Sequence, residues 1–160
     1  MGALLTDSSG CLRQSLVVGV VAPPILVGSI CNHLAKDKGL QTKLREDESQ
    51  ISAALEEFIR LYSPYRGFSR TTSREVNIHG ETVRPKEPIT LCYTAANRDP
   101  EVFDQPDEFI LGRPNIAKHL GFGRGRHQCA GMPLARLYVS CQDISRMLPS
   151  ADRSIGVSIS

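Results

Sequence analysis

The stretch Phe122-Gly123-Arg124-Gly125-Arg126-His127-Gln128-Cys129-Ala130-Gly131 brackets one cysteine with glycines and sets it just ahead of the helix-like run Met132 to Val139. The pattern F-x-x-G-x-x-x-C-x-G suits a thiolate held open to a metal. A thiol must lose its proton before it ligates, and unpaired N–H groups at a helix start stabilise the negative charge. The spacing therefore predicts that the final helix begins near Cys129. Gly125 and Gly131 have no Cβ, so the loop can turn through positive φ. His127 lies two residues before Cys129; H-x-C is not the spacing of a structural zinc site, and no C-x-x-C occurs. The bland readings are an inert buried cysteine for Cys129 and solvated loop residues for Arg124, Arg126 and His127.

The elements that must position this loop follow from periodicity. The chain has 160 residues, enough for one domain with a modest core. Net charge is +2 with 22% charged residues, so nothing points to nucleic acid. The five cysteines are scattered and odd in number, which favours a reduced setting over a disulfide framework. Residues 1–10 are polar, without periodicity, and are expected to fray. Leu12 to Lys36 predicts a long, mostly buried helix, with Asp37-Lys38-Gly39 as its stop. The apolar run Leu16 to Ile30 is shorter than the ~20 residues that span a bilayer, so no membrane segment is expected. Leu40 to Glu46 reads as a short amphipathic helix. Ile51, Leu55, Phe58, Ile59 and Tyr62 form one helical stripe that ends before Pro64. Glu75 to Ile78 and Glu81 to Val83 flank His79-Gly80, a hairpin signal, and Ile89 to Tyr93 reads as a further strand. Asn97 to Leu120 is rich in Asp, Pro and Asn and predicts a long irregular segment, which in a small domain usually has a functional reason. Glu57 and Arg60 share one helix face at i,i+3 spacing; on an exposed helix such a pair contributes only ~0.2–0.5 kcal/mol.

Together, the cysteine loop, Glu57-x-x-Arg60 upstream of it, Phe68-Ser69-Arg70-Thr71, Gly112-Arg113-Pro114-Asn115 and the run His119-Leu120-x-Phe122-Gly123 resemble the cytochrome P450 family of heme-thiolate monooxygenases. The resemblance implies a mainly α fold with a small β component, corresponding to the C-terminal part of the family's fold. Its parts are a long buried helix, the E-x-x-R helix, a β-hairpin, an irregular meander, the cysteine loop and a final helix. It implies heme b held by Cys129 as axial thiolate, which pushes electron density onto iron and favours O–O cleavage. Phe122 would shield the sulfur, Gly123 and Gly131 would let the porphyrin approach, and Arg70 and His127 would meet the two propionates through charge-assisted hydrogen bonds. Glu57, Arg60 and Arg113 would lock the irregular segment and serve folding and heme retention. His119 reads best as a structural loop residue. The implied partners are a small organic substrate and an electron donor, a ferredoxin or flavoprotein reductase fed by NAD(P)H. Arg124 and Arg126 offer a basic rim to an acidic donor. A cytoplasmic location is expected.

The chain also departs from the family's pattern. The acid–threonine pair expected near bound oxygen is absent: the corresponding stretch is Gly19-Val20-Val21-Ala22-Pro23-Pro24, with no acid or hydroxyl between Val17 and Gly28. No catalytic residue is assigned at Ala22 and Pro23, and the two prolines predict a kink or local unwinding. One partial domain is expected over 1–160, family-like over 11–139 and divergent over 140–160, with incomplete heme burial by this chain alone. The competing readings are a heme-binding product without turnover and an interaction module in which the cysteine loop is only a turn.

Overall fold

The computed structural model describes residues 2–142, with side chains over 9–139. The order is α1 (Gly2–Lys36), α2 (Lys38–Glu46), α3 (Ile51–Leu61), β1 (Gly67–Thr71), β2 (Val76–Ile78), β3 (Glu81–Val83), β4 (Pro88–Cys92), α4 (Tyr93–Ala96) and α5 (Met132–Gln142). The fold is predominantly helical with a small sheet component, as the sequence predicts. Residues 143–160, most of the expected divergent tail, lie outside the described residues.

Helix α3 is the beam on which the rest is mounted. Ile51, Ala54, Leu55 and Phe58 recur at three-and-four spacing and are buried against Leu26, Ile30 and Leu34 of α1 and Leu40 and Leu44 of α2. A fully buried side chain such as Phe58 contributes about 1.5–3 kcal/mol. Phe58 also packs on Phe109 with ring centroids 4.7 Å apart, drawing the irregular segment onto the same core. The hydroxyl of Tyr62 lies 2.7 Å from His33 Nδ1 and ties α1 to the end of α3. Burial pushes the His33 imidazole below its ordinary range.

Three local expectations are corrected. Helix α1 starts at Gly2, not Leu12. It stops because Asp37 caps the next helix, its carboxylate accepting the Leu40 N–H at 2.9 Å, so Gly39 lies inside α2 and is no terminator. The helix also runs through Pro23 and Pro24 without the expected unwinding. The carbonyls of Gly19 and Val20 that lose their donors lie on an exposed stretch, where water can satisfy them.

The expectation of a mostly buried helix is also corrected: among the described side chains of α1, burial is confined to the C-terminal half. Ile30 is 2% exposed, whereas Leu16 is 73% exposed. Leu12, Val17, Val20, Val21 and Ile25 are exposed as well. The expectation that no segment reaches membrane-spanning length counted only the apolar run. Within the continuous helix, Ser9–Lys36 is long and apolar enough to cross a membrane, by length and composition only.

Strands β2 and β3 form the predicted hairpin, with Val76 opposite Val83 and Ile78 opposite Glu81. His79 and Gly80 both have positive φ (50° and 88°), as a type I′ turn requires. This hairpin is nested between β1 and β4, which pair antiparallel from Gly67 opposite Cys92 to Thr71 opposite Pro88. Strand β1 has no alternating apolar pattern, and its pairing becomes visible only in three dimensions. Tyr93, expected to close a strand, instead opens the short helix α4.

Candidate functional site

The geometry starts from two adjacent carboxylates on α3. Glu57 and Arg60 are both fully buried, at 0% exposure, not the solvated pair that their spacing alone suggests. Arg60 Nε donates to Glu57 Oε2 at 2.9 Å and its NH2 donates to Oε1 at 2.8 Å, a bidentate fork. Arg113 Nε donates to the same Oε1 at 3.0 Å, and so does the Ile110 N–H, also at 3.0 Å. One carboxylate thus faces two guanidiniums. Backbone carbonyls stabilise the surplus positive charge. Arg60 donates to the carbonyls of Asn97 (2.8 Å), Pro106 (2.6 Å) and Glu108 (3.0 Å). Arg113 donates to those of Asp104, Gln105 and Glu108. Burial works against the charge of Glu57, but the bonds from Arg60, Ile110 and Arg113 outweigh it and hold the carboxyl below its ordinary range.

This arrangement explains why the stretch after Asn97 is irregular. Carbonyls that would otherwise enter a helix or strand ladder are taken up by the two guanidiniums. Asn97 completes the lock. It is fully buried, donates through Nδ2 to Arg60 O (3.1 Å) and Ser63 Oγ (3.0 Å), and accepts the Leu120 N–H at 2.6 Å. Leu120 is the residue from which the chain enters the cysteine loop.

The loop itself is closed by the Cys129 N–H, which donates to Phe122 O at 2.9 Å. Gly123 (φ 68°) and Gly125 (φ 75°) turn the chain through the left-handed region. His127 ends a single 3-10 turn, Gly125–His127. Helix α5 starts at Met132, not at Cys129. Gly131 is its cap residue, whose carbonyl accepts the Ala135 N–H at 2.8 Å, and Cys129 stands two residues upstream. The Cys129 thiol is exposed and unbridged. A Cβ added to Gly131 would stand 3.8 Å from Cys129 Sγ, so the glycine keeps that side of the sulfur open.

Phe122 is half-buried against the core cluster. Arg70 is exposed on β1; its guanidinium bonds Ser69 O at 2.9 Å and lies 6.0 Å from the Phe68 ring. Phe68 packs edge-on against Tyr93 at 6.0 Å, and the Tyr93 hydroxyl stands 3.6 Å from where a Cβ on Gly123 would be. The strand carrying Arg70 is thereby joined to the cysteine loop. Thus the fold unites Glu57, Arg60 and Arg113 directly, joins Phe122 to Cys129 through one backbone bond, and leaves Arg70, His127 and Cys129 exposed.

Spacing did not single out Glu56, Arg136 or Asn97. Arg136 donates to Glu56 through Nε (2.6 Å) and NH2 (2.8 Å). The Gly121 N–H donates to His119 Nδ1 at 3.0 Å, so the ring proton sits on Nε2 and is donated to Glu56 Oε2, also at 3.0 Å. Burial raises the Glu56 carboxyl, yet the bonds from His119 and Arg136 and the arginine charge overcome it and lower the group to about 2. The only sequence signal was the doubled acid Glu56-Glu57, whose two members point to different faces of α3.

The cytochrome P450 family model matches residues 30–141, more than half of the chain. The chain belongs to the cytochrome P450 family. It is 41% identical over 111 residues to the biotin biosynthesis cytochrome P450 of Bacillus subtilis, covering 68% of this chain and 28% of that protein. It is 37% identical over 135 residues to biflaviolin synthase CYP158A1 of Streptomyces coelicolor, covering 82% and 32% respectively. Among solved structures it resembles P450BioI in complex with a hexadec-9Z-enoic acid ligated acyl carrier protein (TM-score 0.73, 37% identity, 81% of this chain and 33% of that one). It also resembles CYP109E1 of Bacillus megaterium in complex with corticosterone (TM-score 0.78, 29% identity, 85% and 36%). The chain therefore spans about a third of the length of these P450 relatives.

The donor set fits a heme. A lone thiolate cannot hold a bare metal ion firmly, and among the described residues no three His, Cys, Asp or Glu side chains converge. A group that brings its own equatorial donors needs only one protein ligand. An exposed thiol in a loop turned by the positive-φ glycines Gly123 and Gly125 suits such a group.

Proposed function

We propose that this chain is the C-terminal part of a heme-thiolate monooxygenase that inserts one oxygen atom of O2 into an organic substrate. The observation that carries the reading is the closed cysteine loop, Cys129 N–H on Phe122 O, whose entry at Leu120 is linked through Asn97 to the buried Glu57–Arg60–Arg113 cluster. Bound heme b supplies dioxygen activation at iron. In this reading Cys129 would hold the heme iron through its thiolate, and Phe122 would keep water from the sulfur. Gly123 and Gly131 leave room for the porphyrin edge, and Arg70 and His127 bind the propionates. Glu57, Arg60 and Arg113 hold the segment that leads into the loop. Electrons come from a ferredoxin or a flavoprotein reductase, ultimately from NAD(P)H, and exposed Arg124 and Arg126 give an acidic donor a complementary rim. The molecules bound in the two solved relatives, a fatty acyl group and a steroid, are both largely apolar, which supports an apolar organic substrate. The exposed apolar stripe of α1 fits a face covered by the rest of a full-length P450 in the cytoplasm.

A second reading, heme binding without turnover, is favoured by one observation. Helix α1 carries Ala22-Pro23-Pro24 where the family's proton-delivering acid and hydroxyl would stand. The test of both is the absorption spectrum of the heme-loaded chain, reduced and exposed to carbon monoxide, beside Cys129→Ala. A strongly red-shifted Soret band that Cys129→Ala abolishes supports the thiolate reading. An ordinary band in both chains refutes it. A red-shifted band without oxygenated product from any donor–substrate pair selects the second reading.

A further inference from the structure

The two neighbouring carboxylates of α3 serve different segments. Glu57 faces the irregular stretch from Asn97 to Arg113. Glu56 instead takes hydrogen bonds from His119, just before the cysteine loop, and from Arg136, just after it on α5. Both ends of the loop are thus tied to one side chain. Between them, the Arg136 guanidinium lies 5.1 Å over the Phe122 ring, and the His119 ring lies 6.2 Å from it. The carbonyl of that same Phe122 accepts the Cys129 N–H. Gly121 lets the loop approach α3 closely: a Cβ there would stand 2.5 Å from Ile59 Cγ2.

We infer that Glu56, His119 and Arg136 are positioning residues for the cysteine ligand, clamping both ends of its loop to α3 and holding Phe122 where its carbonyl fixes the Cys129 backbone. The significance of that placement rests on the heme-thiolate reading; the clamp itself does not. A chain from Leu120 to Ala135 without such ties is open to many backbone arrangements, and each extra arrangement lowers the share in which the thiol meets iron. A charge-assisted bidentate pair, half-shielded from water, is strong enough to restrict them.

The test is amide hydrogen exchange in the 160-residue chain without heme, comparing the parent with Arg136→Met and Arg136→Lys. Methionine keeps much of the stem and loses the charge and both donors. Exchange of the Cys129 amide is expected to quicken about tenfold or more in Arg136→Met, since a lost bond to a charged group shifts the opening equilibrium by about that factor. Arg136→Lys should restore part of the protection. The Ile110 amide, held by Glu57, should be unchanged. Equal exchange at Cys129 in parent and Arg136→Met overturns the inference. Equal acceleration at Ile110 and Cys129 also overturns it, because that is general destabilisation. In the heme-loaded chains, Arg136→Met should retain heme while the red-shifted carbon monoxide band loses intensity to the ordinary one. If the parent shows no red-shifted band, the heme-thiolate reading fails, and the exchange comparison still decides the clamp.

Discussion

Glu57→Gln removes one negative charge from a cluster with two positive ones. The carboxylate accepts from Arg60 twice, from Arg113 and from the Ile110 N–H, and it is fully buried. Glutamine keeps one acceptor oxygen and turns an amide N–H₂ toward a guanidinium that can only donate. Two buried cations then keep only neutral acceptors, one amide oxygen and the backbone carbonyls, with no opposing charge. Removing one partner of a buried pair costs about 3–5 kcal/mol, because the other charge stays buried without compensation. Against a total stability of about 5–15 kcal/mol, that is a large share. For a chain of this size it corresponds to a fall in melting temperature of roughly 10–20 °C. Thermal unfolding followed by circular dichroism at neutral pH measures the fall, with exposed Glu101→Gln as the control. Hydrogen exchange at Ile110, whose amide donates to Glu57, reports the opening locally. A loss below about 1 kcal/mol, within the range of exposed ion pairs, would refute the reasoning: the cluster would then be hydrated and its buried geometry wrong.

Acid should weaken the chain through Glu56, whose folded value of about 2 lies below the ordinary 4.5. A depressed carboxyl contributes stability that is complete above about pH 4.5 and is lost as pH falls toward about 2. Glu56→Gln, compared with parent by urea titration across that window, should flatten this part of the pH dependence. Asn97→Ala removes the bonds to Arg60 O, Ser63 Oγ and the Leu120 N–H and should cost about 2–3 kcal/mol; unchanged exchange at Leu120 would contradict the role given to Asn97. Gly67→Ala should part β1 from β4, since its Cβ would stand 2.3 Å from Leu91 O, a backbone atom. The expected loss is about 1–3 kcal/mol, read from chemical denaturation and from faster exchange of the amides pairing the two strands.

Local features were legible in the sequence because they are set by neighbours a few residues apart. The α3 stripe, the His79-Gly80 turn and the glycine-bracketed cysteine each need only helical or turn periodicity to be seen. Family membership followed from spacings of the same kind. Depth and partnership were not legible. Whether Glu57–Arg60 is a solvated pair or a fully buried one depends on Arg113, more than fifty positions away, and on carbonyls that carry no side-chain signal. The pairing of β1 with β4 spans a nested hairpin, and exposed strands give no alternating pattern to predict it.

What the sequence by itself determined is the cysteine loop, the helix that carries the paired acids, and the family to which they belong. Only the tertiary structure decided that the two acids divide their work, Glu57 holding the irregular segment and Glu56 the cysteine loop. The reason is geometric: successive helical residues point about 100° apart, so adjacent identical side chains enter different surroundings, and only the packed neighbours reveal which.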